Sequence, residues 1–101
     1  MSLPEKPRAL ALYQSSPNPL NPSTTISYAI TESAGLETRL EVYNLRGQIV
    51  RILVDKVQEP GVYQVFWDGA DSQGKEVPSG VYFYRLRAGE RSRMRKMVVL
   101  R

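Results

Sequence analysis

The 101-residue sequence predicts an all-β domain, about seven antiparallel strands folded as a two-layer sandwich. Three observations lead there. Apolar residues recur at every second position in "TISYAI", "RLEV" and "GVYFYRL", which is the period of a half-buried strand. Turn-forming Gly, Pro, Asn and Asp punctuate the chain every ~8–15 residues. No stretch longer than about ten residues combines a 3.6-residue apolar period with a cap, so no helix is expected.

The elements follow in order. Leu10, Ala11, Leu12 and Tyr13 make a short apolar segment, followed by Pro17, Pro19 and Pro22. Prolines cannot donate to a ladder, so this is an edge strand running into an extended arm. Ile26, Tyr28 and Ile30 then share one face, with Ser27 and Ala29 on the other. "ITESAGLET" is a connection holding Gly35. In "RLEVYNLRGQIVRILV", Leu40 and Val42 face one side and Glu41 and Tyr43 the other. Asn44 and Gly47 occupy the first and fourth positions of a hairpin turn, and the β-branched "QIVRILV" returns as its second arm. After a turn at Pro60 and Gly61, Tyr63, Val65 and Trp67 share a face. Tyr82, Tyr84 and Leu86 do the same in the next strand, opposite Phe83, Arg85 and Arg87.

The final strand, "RSRMRKMVVL", is internally inconsistent. Arg93 and Arg95 alternate onto the side of Met97 and Val99, while Lys96 falls among Met94, Val98 and Leu100. That requires a bulge or a change of burial halfway. The expectation is a buried "MVVL" and an exposed "RSRMRK" edge. The strand count and spacing match an immunoglobulin-like β-sandwich. No disulfide is possible, because the chain has no cysteine. Trp67 is the expected core aromatic. Tyr82, just after a loop, is expected to be buried with its hydroxyl tied to backbone, as in the tyrosine corner of such folds.

Composition narrows the chemistry. The absence of cysteine and histidine removes thiolate ligands, the commonest general base and the commonest metal ligand. No 18-residue apolar run exists, so no membrane-spanning helix is expected, and no leader peptide is visible. Residues 1–8 read as a cloning remnant and linker, and residues 9–101 as one domain, the tail of a longer protein. The net charge of +4 is uneven: residues 85–101 hold seven cations against Glu90 alone. A basic end of this kind suits an acidic protein face, an anionic polysaccharide or lipid, or nucleic acid; a solvated strand face accounts for it equally well. No nucleic-acid-binding motif accompanies it.

"WDGADSQGKEVPSG" places Asp68, Asp71 and Glu76 in a glycine-rich loop. Against a calcium loop that starts at Asp68, the third, fifth and twelfth positions would be Ala70, Ser72 and Ser79, which do not fit. Turn formation explains the residues better: "DSQG" and "VPSG" make a double turn that delivers the chain into "VYFYRL". Ser72, Ser79 and Lys75 lie on the same turn with nothing positioned to activate a nucleophile. No cofactor, metal site or catalytic site is therefore expected.

Four stretches taken together, "LYQSSPNPLNPSTTISYAI", "LEVYNLRGQIVRILVD", "GVYQVFWDGADSQGKEVPSGVYFYRLRAG" and "RKMVVLR", resemble the C-terminal sorting domain of proteins exported by the type IX (Por) secretion system. They are also similar to the immunoglobulin-like domain of flagellar hook-capping proteins. The resemblance covers residues 9–101, with Ser16 and Leu20 where the family pattern commonly has aromatic residues. It implies a non-catalytic domain at the end of a secreted or cell-surface protein, read by export machinery in the outer membrane, with attachment of the cargo to surface polysaccharide after processing. Carried over by position, the signal region is Lys96, Met97, Val98, Val99, Leu100 and Arg101. Arg93 and Arg95 flank it as charged edge residues, which deter unwanted pairing and speed encounter with an acidic receptor. Pro17, Asn18, Pro19, Gly74 and Gly80 match the family as fold-forming positions. The domain is expected to be a monomer or a weak edge-mediated dimer, and removal of residues 96–101 is expected to leave much of the fold. The competing reading is an accessory or adhesive domain that binds carbohydrate or protein through Tyr43 and Phe83.

Overall fold

The computed structural model describes residues 10–21, 23–31 and 35–101. The segment read as remnant and linker, Pro22 and the middle of the "ITESAGLET" connection lie outside the described residues. The strands are β1 (Leu10–Leu12), β2 (Thr24–Ile30), β3 (Leu36–Tyr43), β4 (Ile49–Gln58), β5 (Gly61–Trp67), β6 (Gly80–Ala88) and β7 (Arg91–Val99). They form two antiparallel sheets, β1-β2-β5 and β4-β3-β6-β7. Among the described residues there is no helix.

Local chemistry places the strands. The β3–β4 turn is closed by Gly47 N–H to Asn44 O (3.0 Å). The Asn44 side-chain oxygen accepts from the amides of Arg46 (2.9 Å) and Gln48 (3.0 Å), and Gly47 takes φ 80°, which a side chain would resist. So tight a hairpin keeps β4 beside β3. In constant-type immunoglobulin domains the fourth strand instead joins the other sheet, next to the fifth. Here β5 is left as an edge.

Of the two ways out for the last strand, a bulge or a change of burial, the bulge is absent. The β6–β7 register runs unbroken from Gly80↔Val99 to Ala88↔Arg91. It is β4 that bulges: the β3 pairing steps from Leu40↔Val54 to Glu41↔Ile52 and from Val42↔Arg51 to Tyr43↔Ile49, so Leu53 and Val50 are extra. Both extra residues pack against the core. In β7 the conflict is resolved by burial. Met97 and Val99 are enclosed, the preceding residues are exposed or half-buried, and Leu100, expected inside, is 55% exposed beyond the strand.

The core lies between the sheets and contains Leu20, Ile26, Tyr28, Leu40, Val42, Trp67, Tyr84, Leu86 and Met97, all fully enclosed. Trp67 donates from its indole nitrogen to Ala70 O (2.9 Å) and meets Tyr82 edge-on at 6.3 Å. The Tyr82 hydroxyl donates to Pro78 O (2.8 Å), four residues upstream, as the sequence predicts. Tyr28 stacks on Tyr63 and donates to Gln58 (2.6 Å). Tyr84 donates to Tyr13 O and accepts from Ser15 N–H, both at 2.8 Å, which ties the large sheet to the segment after β1.

Burial raises the Tyr28 and Tyr84 hydroxyls above the ordinary value near 10, and for Tyr84 the Ser15 N–H that it accepts from offsets part of the rise. A raised folded-state pKa means that the native chain holds the proton more tightly than the unfolded chain. The associated stability is complete below the unfolded value and is lost as pH rises through the folded one. Urea midpoints measured from about pH 9 to pH 12 should therefore fall at the alkaline end, and a Tyr28→Phe/Tyr84→Phe variant should show a flatter fall.

Candidate partner-binding strand

The last strand is an edge of the large sheet, and the proline arm that follows β1 runs along it. The Gln14 side-chain amide donates to Lys96 O (2.9 Å). Asn18 Oδ1 accepts from Val98 N–H (2.9 Å). Leu20 N–H donates to Val98 O (2.9 Å), and Leu100 N–H to Leu20 O (3.1 Å), a short parallel bridge. The arm is itself pinned to β2, through a two-way Ser16–Thr25 backbone pair and Thr24 Oγ1 donating to Pro17 O (2.8 Å). Leu20, fully enclosed, inserts beneath it. The arm thus closes one side of the sandwich and occupies Lys96 O, both backbone groups of Val98 and Leu100 N–H. With most of this edge covered, a reader of the strand has chiefly its side chains to recognise.

Those side chains divide into groups. Met97 and Val99 face the core. Arg95 is exposed and donates through Nε to Leu12 O (2.6 Å). Arg93 is half-buried and donates to Ser92 O (2.8 Å). Arg101 is clamped to the double turn: Nε donates to Val77 O and Nη2 to Gly69 O, each at 2.6 Å, and its amide donates to Ser79 Oγ at 2.9 Å. Val98 is half-buried, while Lys96 and Leu100, on either side of it along the chain end, are exposed. The sequence missed Gln14, Asn18 and Leu20 as partners of this strand, because nothing in "QSSPNPL" reveals which edge the arm will cover.

The aspartate loop is structural. Gly74 N–H donates to Asp71 O (3.0 Å), the Asp71 carboxylate accepts from the amides of Gln73 (2.9 Å) and Lys75 (3.0 Å), and Gly74 has φ 81°. Atom for atom this is the Asn44–Gly47 turn with a carboxylate in place of an amide. The Asp68 carboxylate accepts from Ala70 N–H (3.0 Å) and pairs with Arg51 (3.2 Å). An open groove of about 520 Å3 separates the two turns; Asp71 lines it and Asp68 does not. Since the amide of Asn44 performs the same task, Asp71→Asn should leave stability within about 0.5 kcal/mol of wild type, whereas Asp71→Ala should cost about 1–2 kcal/mol for two lost hydrogen bonds. Chemical denaturation of both variants checks this.

On the outer face of the large sheet, Glu41 is only 1% exposed. Arg39 from β3 and Arg85 and Arg87 from β6 surround its carboxylate at 3.1, 3.5 and 3.9 Å, and the Tyr43 hydroxyl donates to it at 2.6 Å. Arg39 Nε is near the carboxylate without being aimed at it; Arg39 Nε and Arg85 Nε are buried atoms with no hydrogen-bond partner among the described residues. Arg85 also lies over the Tyr43 ring, 5.3 Å from its centre. Tyr43 and Phe83 are cross-strand neighbours, but the ring face that would stack on a sugar is occupied by the guanidinium.

A three-stranded sheet on a four-stranded sheet, with a buried tryptophan and a tyrosine hydroxyl tied four residues back, defines an immunoglobulin-like β-sandwich. Residues 20–92 match the family described as the FlgD Ig-like domain, and the chain belongs to that family. No curated protein matches it. In fold it is similar to part of dimeric latent PorU from Porphyromonas gingivalis (TM-score 0.73, 20% identity), covering 90% of this chain and 9% of PorU. It is also similar to part of PorZ from the same organism, an essential bacterial surface component of the type-IX secretion system (TM-score 0.61, 22% identity), covering 89% of this chain and 11% of PorZ. The chain therefore spans about a tenth of the length of either protein. Among the described residues no helix is long and apolar enough to cross a membrane.

Proposed function

We propose that this domain is a non-catalytic address at the end of an exported, cell-surface or secreted protein, read by outer-membrane components of a type IX secretion system. The observation that carries the reading is the likeness to one small domain within each of PorU and PorZ, spanning nine-tenths of this chain. The sequence resemblance of "RKMVVLR" to sorting signals supports it further. An address needs a stable shell and an exposed feature that a partner can recognise, and the side chains of Lys96 and Leu100 supply such a feature. The surrounding arginines favour an acidic receptor and raise the encounter rate. Attachment to surface polysaccharide after processing belongs to the same reading.

The test is transplantation. A periplasm-directed reporter fused ahead of residues 1–101 is expected at the surface or in the medium of a host with type IX machinery, and in the periplasm of the same host lacking that machinery. Periplasmic retention in both hosts would overturn the proposal.

A further inference from the structure

We infer that the free edge of β5 pairs with β5 of a second copy of this chain, antiparallel and centred on Gln64, joining two three-stranded sheets into one of six strands. This stands apart from the export reading.

The sheet edges are protected unequally. β1 is three residues long, and the Arg95 side chain occupies its Leu12 carbonyl. β4 has two bulges and carries Arg51, Asp55 and Lys56. β7 carries Arg91, Arg93, Arg95 and Lys96 and is covered by the arm from Lys96 onward. These are the usual defences of an edge strand. β5 has none of them: "GVYQVFW" is seven residues without a charge, a proline or a bulge.

The groups it offers can be named. Thr25 and Ser27 of β2 bond toward the β1 side, so by alternation Thr24, Ile26, Tyr28 and Ile30 face β5. Their partners are Trp67, Val65, Tyr63 and Gly61. The backbone groups of Val62, Gln64 and Phe66 consequently point away from the sheet, and among the described residues no backbone group bonds them.

The occupant follows from the symmetry of the strand about Gln64. With Gln64 opposite Gln64 of the second copy, Val62 meets Phe66 on both sides of the two-fold axis, and every outward N–H and C=O finds a partner. Val62 and Phe66 are 76% and 65% exposed, and this register covers both without opposing any charges. On the inner face, Tyr63 and Val65, partly buried against the core, would meet Val65 and Tyr63 of the other copy. The contact is smaller than a standard interface of about 1,200 Å2 or more, so a dissociation constant of ~10–100 μM is expected.

The test uses the full chain. Opposed residues at a hydrogen-bonded pair sit about 5.5 Å apart, within reach of a disulfide. The chain has no cysteine of its own, so Gln64→Cys reports cleanly. Mild oxidation should give a covalent dimer with Gln64→Cys and little with Ser92→Cys, an exposed site on β7. In sedimentation, Gln64→Lys should weaken self-association at least tenfold by placing like charges across the axis, and mixing it with Gln64→Glu should restore a dimer; unchanged circular dichroism would show that both variants fold. A wild-type chain that stays monomeric to about 1 mM would overturn the inference and leave the edge to a foreign strand. So would a dimer indifferent to Gln64→Lys, or equal crosslinking at Ser92→Cys.

Discussion

Trp67→Ala should destabilise the domain by about 3–5 kcal/mol, the range for truncating a large buried aromatic. Trp67 is fully enclosed, joins β5 to the aspartate loop through Ala70 O, and packs against Tyr82. For a domain near 100 residues this amounts to a fall in Tm of roughly 15–30 °C, a large part of the ~5–15 kcal/mol that holds such a fold. Trp67→Phe should recover most of the packing and lose about 1 kcal/mol for the indole hydrogen bond, because the Ala70 carbonyl keeps its second donor, Arg51 Nη1 at 3.0 Å. Far-UV circular dichroism under urea is the appropriate readout, since Trp67 is the only tryptophan. A loss under about 1 kcal/mol for the alanine variant would mean that the core is anchored elsewhere.

The second large effect concerns the chain end. Deleting residues 96–101 removes Met97 and Val99, which are 0% and 1% exposed, the arm's partners at Val98 and Leu100, and the Arg101 clamp. A single Met→Ala truncation in a core costs about 2–5 kcal/mol, so the whole deletion should exceed about 5 kcal/mol and leave little folded protein. This corrects the expectation that the deletion would spare the fold. It also means that failed export of such a truncation would reveal nothing about recognition. A shortened chain retaining native amide dispersion and a Tm within about 5 °C of wild type would contradict this account.

Much of the fold was legible because it depends on local rules. Period-two alternation located the inward faces of β2 and β6, and the buried Ile26, Tyr28, Tyr84 and Leu86 follow it. The Asn-x-x-Gly turn identified the β3–β4 hairpin, and the position of Tyr82 after a loop indicated its backbone bond. What was not legible depends on which segments become neighbours. Glu41 falls on the outer face, as alternation predicts, yet it is buried because Arg85 and Arg87 arrive from a strand more than forty residues away. The β4 bulges are invisible in a run of β-branched residues, where any register looks equally apolar. Coverage of the β7 edge required knowing that Leu20 inserts beneath β7. The burial of Met97 and Val99 follows the expectation for "MVVL", but Leu100, expected inside, lies past the last strand pair and is exposed.

In the proposed role, a stable sandwich is recognised through exposed side chains at its end. The most direct measurement pairs stability with export for a Lys96→Glu/Leu100→Glu variant of the full chain. Both positions are exposed, so Tm should stay within a few degrees of wild type. Export of the fused reporter is expected to drop at least tenfold. Wild-type export from a variant of unchanged Tm would contradict the account and move recognition to another face of the domain.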